Sequence, residues 1–283
     1  MDRIVIVGPG RVGTSLARAL DKTDLRICGL FGGNAGSAHP SLDQTPSIDA
    51  DIVVLSVPDP AIRSVVELLR TRLDSGTVVL HTSGLLTSEI LDPLRTDERS
   101  VGSMHPLVSF NGRSAAEKPY RGAYFGLEGG ADAVIAAKRI VDALGAKFLI
   151  VPAASKALYH AAAVTACGHI AALLDLSVAM MRTAGVDSDA AEKALLHLAF
   201  STLRNIENDG PASSLTGTFA RADASGFGRH LDAFAHKLSA EELEIYLALG
   251  LRSLRLALAN GIAAEDVEEV AQMIALAKEK SRC

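Results

Sequence analysis

Three side chains in this sequence could carry acid–base chemistry on a substrate. Lys156 and His160 stand four residues apart at the start of a long helical pattern, so both project from one face of that helix. His105 precedes Pro106, which restricts the backbone of His105 to extended conformations and so fixes the direction of its side chain. Such groups protonate a carbonyl oxygen or an imine nitrogen during reduction, and they stabilise the charge that develops there. We predict that Lys156, His160 and His105 are catalytic. A solvated lysine and a capping, core or interface histidine are the alternatives.

A glycine pattern near the first residue predicts where a hydride donor would bind. Residues 8–13 match G-x-G-x-x-G, directly after the β-branched run 4–7 and directly before a helical pattern. In this context Gly8 permits a tight turn, Gly10 lets the backbone approach a pyrophosphate, and Gly13 lets the helix pack close to the strand. The first N–H groups of the helix would then face the phosphates. We predict a dinucleotide site; a glycine turn without a ligand is the alternative.

The type of dinucleotide depends on the end of the second strand. The strand predicted at 25–31 is followed by Gly32, Gly33 and Asn34, without the acid that usually binds the ribose 2′-hydroxyl of NAD. A carboxylate at this place would repel the 2′-phosphate of NADP, so its absence favours NADP over NAD. Arg11, within the glycine loop, and Asn34 are the candidate partners of that phosphate.

Two further strand ends should line the cofactor cleft. Residues 50–57 form the continuous apolar run of a buried parallel strand, and residues 77–80 form the next strand. Ligands bind at the carboxyl ends of such strands. A helix N-cap is the alternative role for Asp59, and a turn-stabilising hydroxyl is the alternative for Ser83. The predicted cofactor-binding residues are Gly8, Pro9, Gly10, Arg11, Val12, Gly13, Asn34, Ser56, Val57, Pro58, Asp59 and Ser83.

The order of elements predicts an α/β fold with an N-terminal Rossmann-type, parallel-rich sheet, followed by an all-α C-terminal domain. Strand and helix patterns alternate up to residue 151 and only helical patterns follow, so we predict domains at 1–151 and 152–283 with a ligand cleft between them. His105 is expected in a loop after a strand at 100–104. The other predicted elements are a loop at 36–48, strands at 122–127 and 147–151, a turn at 208–211, and helices at 131–144, 155–184, 187–206, 227–236, 239–259 and 263–280.

Composition excludes several classes of function. The net charge of −5 and the lack of a basic stripe argue against a nucleic-acid partner. The three cysteines are scattered without a metal-binding or paired spacing, which suits a reducing cytoplasm and predicts no metal site. The chain enters a strand at once, so no signal peptide is expected. The apolar stretch 161–181 is interrupted by Gly168, His169 and Asp175, which favours a buried core helix over a membrane span.

Taken together, these motifs resemble bacterial Rossmann-like proteins whose helical C-terminal domain has no assigned function. They belong to a wider group that includes ketopantoate reductase, pyrroline-5-carboxylate reductase, prephenate dehydrogenase and the deazaflavin-dependent NADP reductases. The resemblance covers nearly the whole chain. The residues that carry it are 8–13, 57–59, 81–84, 104–106, 156–162, 215–217, Arg221 and Asp223.

The resemblance implies roles for the candidate residues. In β-hydroxyacid dehydrogenases and ketopantoate reductases a catalytic Lys precedes an Asn by four residues on the interdomain helix; Lys156 matches that Lys, and His160 stands at the Asn position. Prephenate dehydrogenases place a functional His before a Pro, as His105 stands here. The resemblance therefore implies an NADP-dependent reductase of a small carbonyl or imine compound, foremost a 2-oxo acid such as ketopantoate, that forms a homodimer through its helical domain.

Some positions depart from the pattern of the group. Gly168 stands where Asn is expected, and Thr218 and Ala222 stand where Pro and Gly are usual. These departures keep two alternatives open: a regulatory protein that binds NADP without turnover, and a deazaflavin-dependent NADP reductase. Arg221 either binds a substrate carboxylate or pairs with Asp223.

Overall fold

A computed structural model of the chain describes residues 2–32, 39–110, 119–235 and 237–281. The chain forms two compact units, Met1–Cys167 and Gly168–Cys283. The predicted domain boundary between residues 151 and 152 stays a prediction, because a division into compact units does not test where independently folding domains end. Asn34, one of the predicted cofactor ligands, lies outside the described residues.

The first unit contains a seven-stranded sheet in the order β2-β1-β3-β4-β5-β6-β7. All neighbouring strands run parallel except β5 and β6, which are antiparallel. The predicted fold class is therefore confirmed. The strands are β1 Arg3–Val7, β2 Arg26–Phe31, β3 Ile52–Leu55, β4 Val78–His81, β5 Val101–Leu107, β6 Tyr124–Gly129 and β7 Lys147–Ile150.

Helices cover both faces of this sheet because its central strands are apolar on both sides. In β1, Ile4 and Ile6 pack into one core cluster while Val5 and Val7 pack into another, as the alternation of side chains along a strand requires. The helices of the first unit are α1 Arg11–Leu20, α2 Asp59–Leu69 and α3 Ala131–Ala143, with short 3₁₀ turns at Leu42–Gln44, Ser88–Leu94 and Ala153–Ser155.

The expectation that His105 lies in a loop is wrong. Strand β5 continues through His105 and Pro106 to Leu107, and His105 pairs with Gly126 of β6. The neighbouring strand β4 pairs with β5 only as far as Ser103, so Pro106 interrupts no ladder on that side. Pro106 predicted a strand end because proline cannot donate a hydrogen bond to a neighbouring strand. Here β4 no longer pairs with β5 at Pro106, so no such bond is required on that side.

The described part of the second unit is helical, as predicted. Its helices are α4 Lys156–Thr183, which begins in the first unit, α5 Ser188–Ser213, α6 Gly217–Ala220, α7 Ala224–Phe234, α8 Ala240–Ala259 and α9 Ala264–Ser281. The turn expected at 208–211 is a break inside α5, where Gly210 has φ 79°. The capping box of Ser239 and Glu242 is present at the start of α8. Ala222 has φ 46°, a left-handed conformation that favours glycine.

The expectation that residues 161–181 form a buried core helix is wrong for the single chain. Lys156 is the one buried residue of α4, and the rest of the helix is half-buried or exposed. By length and composition alone, the described segment Ala153–Thr183 could cross a membrane. Composition predicted burial because it cannot tell a helix packed inside one chain from a helix whose apolar face is left open.

Candidate functional site

The glycine loop between β1 and α1 has little space at two of its three glycines. Gly8 has φ 107°, and a Cβ atom there would overlap the carbonyl oxygen of Ser56. A Cβ atom on Gly13 would overlap the carbonyl oxygen of Gly8, so α1 can approach the loop only because Gly13 has no side chain. Around Gly10, by contrast, nothing lies within 4 Å of where a Cβ atom would be.

This arrangement leaves room and hydrogen-bonding capacity for an anion. The N-cap of α1 is Gly10 and makes no side-chain capping bond, so the first N–H groups of the helix have no cap. The hydroxyl of Ser56, at the end of β3, is buried without a hydrogen-bond partner in the described chain. A buried polar atom without a partner costs free energy unless a ligand or water satisfies it. The loop therefore fits a phosphate group held by backbone N–H groups.

Arg11 and the end of β2 bear on the choice of dinucleotide. The Arg11 side chain is exposed, and Nη1 donates a 3.1 Å hydrogen bond to the carbonyl oxygen of Phe110. Strand β2 ends at Phe31 and is followed by Gly32, so its described end carries no acid. The described end of β2 thus lacks the carboxylate that would repel a 2′-phosphate.

A pocket of about 220 Å³ opens beside this loop, entirely within the first unit. It is smaller than typical sites for drug-sized ligands, so it suits one ring or a small substrate better than a whole dinucleotide. Of the predicted site residues, it brings together Val12, Val57, Asp59, Ser83, His105 and His160. The other lining residues are Thr82, Gly84, Pro106, Val108 and Phe110.

Asp59 and Ser83 form a hydrogen-bonded pair in the pocket wall. The N-cap of α2 is Pro58 rather than Asp59, so the alternative role of Asp59 as an N-cap is wrong. Its Oδ2 instead accepts a 2.9 Å hydrogen bond from the Ser83 hydroxyl. The same hydroxyl accepts hydrogen bonds from the N–H groups of Leu85 and Leu86, which confirms the turn-stabilising role of Ser83. Ser83 therefore fixes both its own turn and the carboxylate of Asp59.

His81, at the end of β4, is a fully buried structural residue. Its Nδ1 accepts a 3.2 Å hydrogen bond from the Ser83 N–H, so its proton lies on Nε2, which donates to the carbonyl oxygen of Thr87 at 3.1 Å. Burial and, to a lesser extent, the charge of nearby Lys156 lower the pKa of His81 to about 4. His81 is therefore neutral at physiological pH and holds the turn at 82–87.

Lys156 does not line the pocket. Its ammonium lies behind the Ser83 turn, 1% exposed, and donates to the Ser83 carbonyl oxygen at 3.1 Å and to the Ser103 hydroxyl. The carboxylate of buried Glu128 lies 3.9 Å away. Burial lowers the pKa of Lys156 to about 8, and the attraction of Glu128 and Asp59 opposes that change. Lys156 thus reaches the pocket residues Ser83, by its hydrogen bond, and Asp59, by charge attraction.

Glu128 is held in turn by Ser88. Its two carboxylate oxygens accept hydrogen bonds from the Ser88 N–H at 2.8 Å and from the Ser88 hydroxyl at 2.6 Å. Buried charges are tolerated in this way, when each is paired and hydrogen-bonded. The sequence did not point to Glu128, Ser88 or Ser103. A charged residue at the end of the otherwise apolar strand β6 was the one available signal for Glu128.

The two histidines of the pocket lie beside each other. The ring centroids of His105 and His160 are 5.9 Å apart in an edge-on arrangement. Tyr159, which precedes His160, places its hydroxyl 2.9 Å from Nδ1 of His105. Burial, together with His160 and Lys156, lowers the pKa of His105 to about 4. The pocket thus combines a neutral histidine with a carboxylate and a second histidine.

In the second unit, the expected pairing of Arg221 with Asp223 is wrong. The Asp223 carboxylate is the N-cap of α7 and accepts a 2.8 Å hydrogen bond from the N–H of Gly226. No ion pair within 4.0 Å joins these two described side chains. Asp223 therefore has a local structural role.

Comparison with domain families agrees with this architecture. Residues 2–106 match a Rossmann-like domain, and residues 123–253 match a domain of unknown function, DUF2520. The resemblance to Rossmann-like proteins with a helical C-terminal domain of unknown function is thereby confirmed. No curated protein matches the sequence.

Solved structures share the fold at low sequence identity. A Bacteroides fragilis protein assigned as an NADP oxidoreductase is 20% identical, with a TM-score of 0.69 over 89% of this chain and 97% of that one. Thermotoga maritima protein TM1727 is 24% identical, with a TM-score of 0.62 over 99% and 100%. A Plasmodium falciparum pyrroline carboxylate reductase with NADP bound is 10% identical, with a TM-score of 0.56 over 90% and 98%.

The neutral state of His81 predicts a loss of stability in acid. Because its pKa is about 4 in the folded chain and 6.5 in the reference state, the unfolded chain binds the extra proton between these values. The contribution is complete above pH 6.5 and is lost as the pH falls towards 4, by roughly 3 kcal/mol in the free energy of unfolding. Urea denaturation at several pH values should therefore give a flatter pH profile for His81→Gln.

The control is His197→Gln, at an exposed position on α5. It should retain the pH profile of the wild type. Equal pH profiles for His81→Gln and the wild type would contradict the neutral, buried state of His81.

The Lys156–Glu128 pair predicts strong coupling between two substitutions. Lys156→Met leaves a buried carboxylate without its cation and should lower the free energy of unfolding by about 3 kcal/mol. The double variant Lys156→Met with Glu128→Gln should recover part of that loss, because no uncompensated charge remains. Chemical denaturation of the four proteins of this cycle measures the coupling.

Lys193→Met is the matched control, because Lys193 forms an exposed pair with Asp189 on α5. An exposed pair should contribute less than about 1 kcal/mol. Additive effects of Lys156→Met and Glu128→Gln would show that the buried pair is not coupled.

Proposed function

We propose that this chain, a Rossmann-like domain joined to a DUF2520 domain, is an NADP-dependent oxidoreductase of a small carbonyl or imine compound. The observation that carries the proposal is the glycine loop, with open space at Gly10 and the unpartnered buried hydroxyl of Ser56 beside the uncapped start of α1. These are the features that a pyrophosphate requires. The names of the B. fragilis and P. falciparum proteins, which share this fold, support the same cofactor.

The chain's own residues would then divide the work as follows. Residues 8–13 and Ser56 would hold the dinucleotide, with Val57, Pro58, Asp59 and Ser83 towards its nicotinamide end. When bound, NADPH supplies a hydride. His105 would orient the oxygen or nitrogen of the substrate, and His160 would donate the proton, because these two side chains reach the pocket. Lys156 would hold the Ser83 turn in place.

The pocket bears on the substrate. Its described lining contains the carboxylate of Asp59 and two histidines, but neither lysine nor arginine. A 2-oxo acid such as ketopantoate would need a cation for its carboxylate from elsewhere, whereas an imine nitrogen would be compatible with Asp59. Ketopantoate and pyrroline-5-carboxylate form the first panel, with oxidation of NADPH as the measurement, and prephenate is tested in the opposite direction, by reduction of NADP⁺.

A second candidate function is a regulatory protein that binds NADP without turnover. The burial of Lys156 favours it, because the residue that matches the catalytic lysine of related reductases is paired with Glu128 and kept out of the pocket. Tight NADPH binding without hydride transfer to a broad panel of carbonyl and imine acceptors would support this function over the first.

Two glycine substitutions separate cofactor binding from folding. Gly10→Ala places a methyl group in open space, so the fold should survive while the approach of a pyrophosphate is hindered. Titration of NADPH fluorescence should show at least about a tenfold loss of affinity, equal to 1.4 kcal/mol. Gly13→Ala should instead lower the melting temperature, because its methyl group overlaps the Gly8 carbonyl oxygen.

The same titration tests the choice of cofactor. The wild type should bind NADPH more tightly than NADH, and Arg11→Ala should weaken the binding of NADPH but not of NADH, because only NADPH carries the 2′-phosphate. Failure of the folded wild type to bind either dinucleotide would overturn the proposed function.

We also propose that a second copy of the chain covers the exposed apolar surface of α4 and α5. Leu196, Phe200 and Leu203 stand at helical spacing on α5 and are all exposed, a pattern that monomers avoid. Exposed large apolar residues continue along both helices. They are Leu158, Val164, Ile170, Leu173, Leu196, Leu198, Phe200 and Leu203.

A cytoplasmic location suits the thiols of Cys28 and Cys167, which are free.

Light scattering coupled to size exclusion should give twice the mass of one chain. Phe200→Asp with Leu203→Asp should convert the dimer to a monomer, because it places charges in the apolar stripe. Leu276→Asp, at an exposed position of α9, is the control and should remain dimeric. A monomeric wild type, or one that binds lipid vesicles through this stripe, would overturn the homodimer.

A further inference from the structure

Tyr159 contacts His105, one of the two histidines that line the pocket. The proposed function gives this contact no role. Tyr159 lies on α4 and His105 on β5, both in the first unit. The Tyr159 hydroxyl lies 2.9 Å from Nδ1 of His105, and the two rings meet edge-on with centroids 5.7 Å apart. His105 lines the pocket, whereas Tyr159 does not. The phenol therefore contacts His105 from behind the pocket wall.

Two glycines make room for this pair. A Cβ atom on Gly126, opposite His105 in the sheet, would overlap the Tyr159 hydroxyl. A Cβ atom on Gly84 would lie 2.8 Å from both Cε1 and Nε2 of His105. The Nδ1 edge of the imidazole thus faces Tyr159, and the Nε2 edge faces Gly84, which is itself part of the pocket wall. The Nδ1 edge therefore has a hydroxyl partner behind the pocket, whereas the Nε2 edge lies on the pocket side.

The pKa values of Tyr159 and His105 bear on which imidazole nitrogen of His105 carries the proton. Burial raises the pKa of Tyr159 to about 12, against a smaller lowering by a backbone hydrogen bond of Gly126, so the phenol keeps its proton at neutral pH. Burial, His160 and Lys156 together lower the pKa of His105 to about 4, so the imidazole is neutral. A neutral imidazole has one N–H donor and one acceptor nitrogen. If the phenol donates to Nδ1, the imidazole proton must be on Nε2.

We propose that Tyr159 is a positioning residue that holds His105 in the tautomer with its proton on Nε2, the nitrogen on the pocket side. The catalytic use of this tautomer rests on the proposed function. Under that function, His105 is a neutral hydrogen-bond donor to the carbonyl oxygen or imine nitrogen of the substrate. A neutral donor of this kind polarises the double bond and stabilises developing negative charge. It does so without changing its own charge across the physiological pH range.

The experiment is ¹⁵N NMR of the full chain with labelled histidine, in which protonated and unprotonated ring nitrogens have distinct shifts. His105→Gln identifies the signals of His105. In the wild type, Nδ1 of His105 should be unprotonated and Nε2 protonated. Tyr159→Phe keeps the ring but removes the donor, so both tautomers should appear and the pKa of His105 should rise by about one pH unit, the equivalent of one hydrogen bond.

Tyr246→Phe is the matched control. The Tyr246 hydroxyl lies 2.7 Å from Nδ1 of His230 in an edge-on contact in the second unit. This variant should alter the signals of His230 and leave those of His105 unchanged. A proton on Nδ1 of His105 in the folded wild type, or the same tautomer and pKa in Tyr159→Phe, would overturn the positioning role.

Titration with NADPH separates this inference from the proposed function. Tyr159→Phe should bind NADPH as the wild type does, because Tyr159 does not line the pocket. Absence of NADPH binding by the wild type would contradict the proposed cofactor site but would not affect the NMR result on the tautomer of His105. An unexpected tautomer with normal NADPH binding would contradict only the role of Tyr159.

Discussion

The buried ammonium of Lys156 is the interaction on which the architecture of the pocket depends. It joins the start of α4 to the turn after β4 through Ser83, to β5 through Ser103 and to β6 through Glu128. A charge at 1% exposure is stable only if each of its partners is in place, since an unpaired buried charge costs several kcal/mol. Displacement of any one of these elements would therefore disturb the others, so the turn after β4, the first half of β5 and the end of β6 form one wall.

This wall separates two sets of ionisable groups. Behind it lie Lys156, Glu128 and the neutral His81, all buried and all satisfied by hydrogen bonds. In front of it, Asp59 and His160 line the pocket. The distinction matters for inference from resemblance, because the resemblance predicted a catalytic role for Lys156, whereas its ammonium does not line the pocket. A side chain can act on a substrate only if the substrate can contact it, and similarity of fold does not show which side chains are accessible in this way.

The helical part poses a different physical question. Its core of Phe227, Leu247, Leu254 and Ile274 accounts for one set of apolar residues, yet α4 and α5 leave many others exposed. Hydrophobic free energy depends on the area removed from water, and a single chain leaves this area uncovered. Composition alone predicted a buried helix, but the single chain leaves most of α4 half-buried or exposed, because composition does not report what an apolar surface packs against.

What the sequence determined by itself is local. The glycine spacing at 8–13, the apolar runs of the strands, the helical half and the capping box at Ser239 all follow from residues within a few positions of each other, and each is present in the structure. The sequence also identified most of the pocket's lining, because strand ends of a parallel sheet meet at one edge.

Only the tertiary structure decided the roles of individual side chains. Lys156 contacts a residue 73 positions away, and Tyr159 contacts one 54 positions away. Neither contact leaves a periodic signal in the sequence, and the extension of β5 through Pro106 depends on where the neighbouring strand stops pairing. The reason is physical: burial and hydrogen-bond partners are properties of atoms brought together by the whole fold, whereas periodicity reports only which face of an element is apolar.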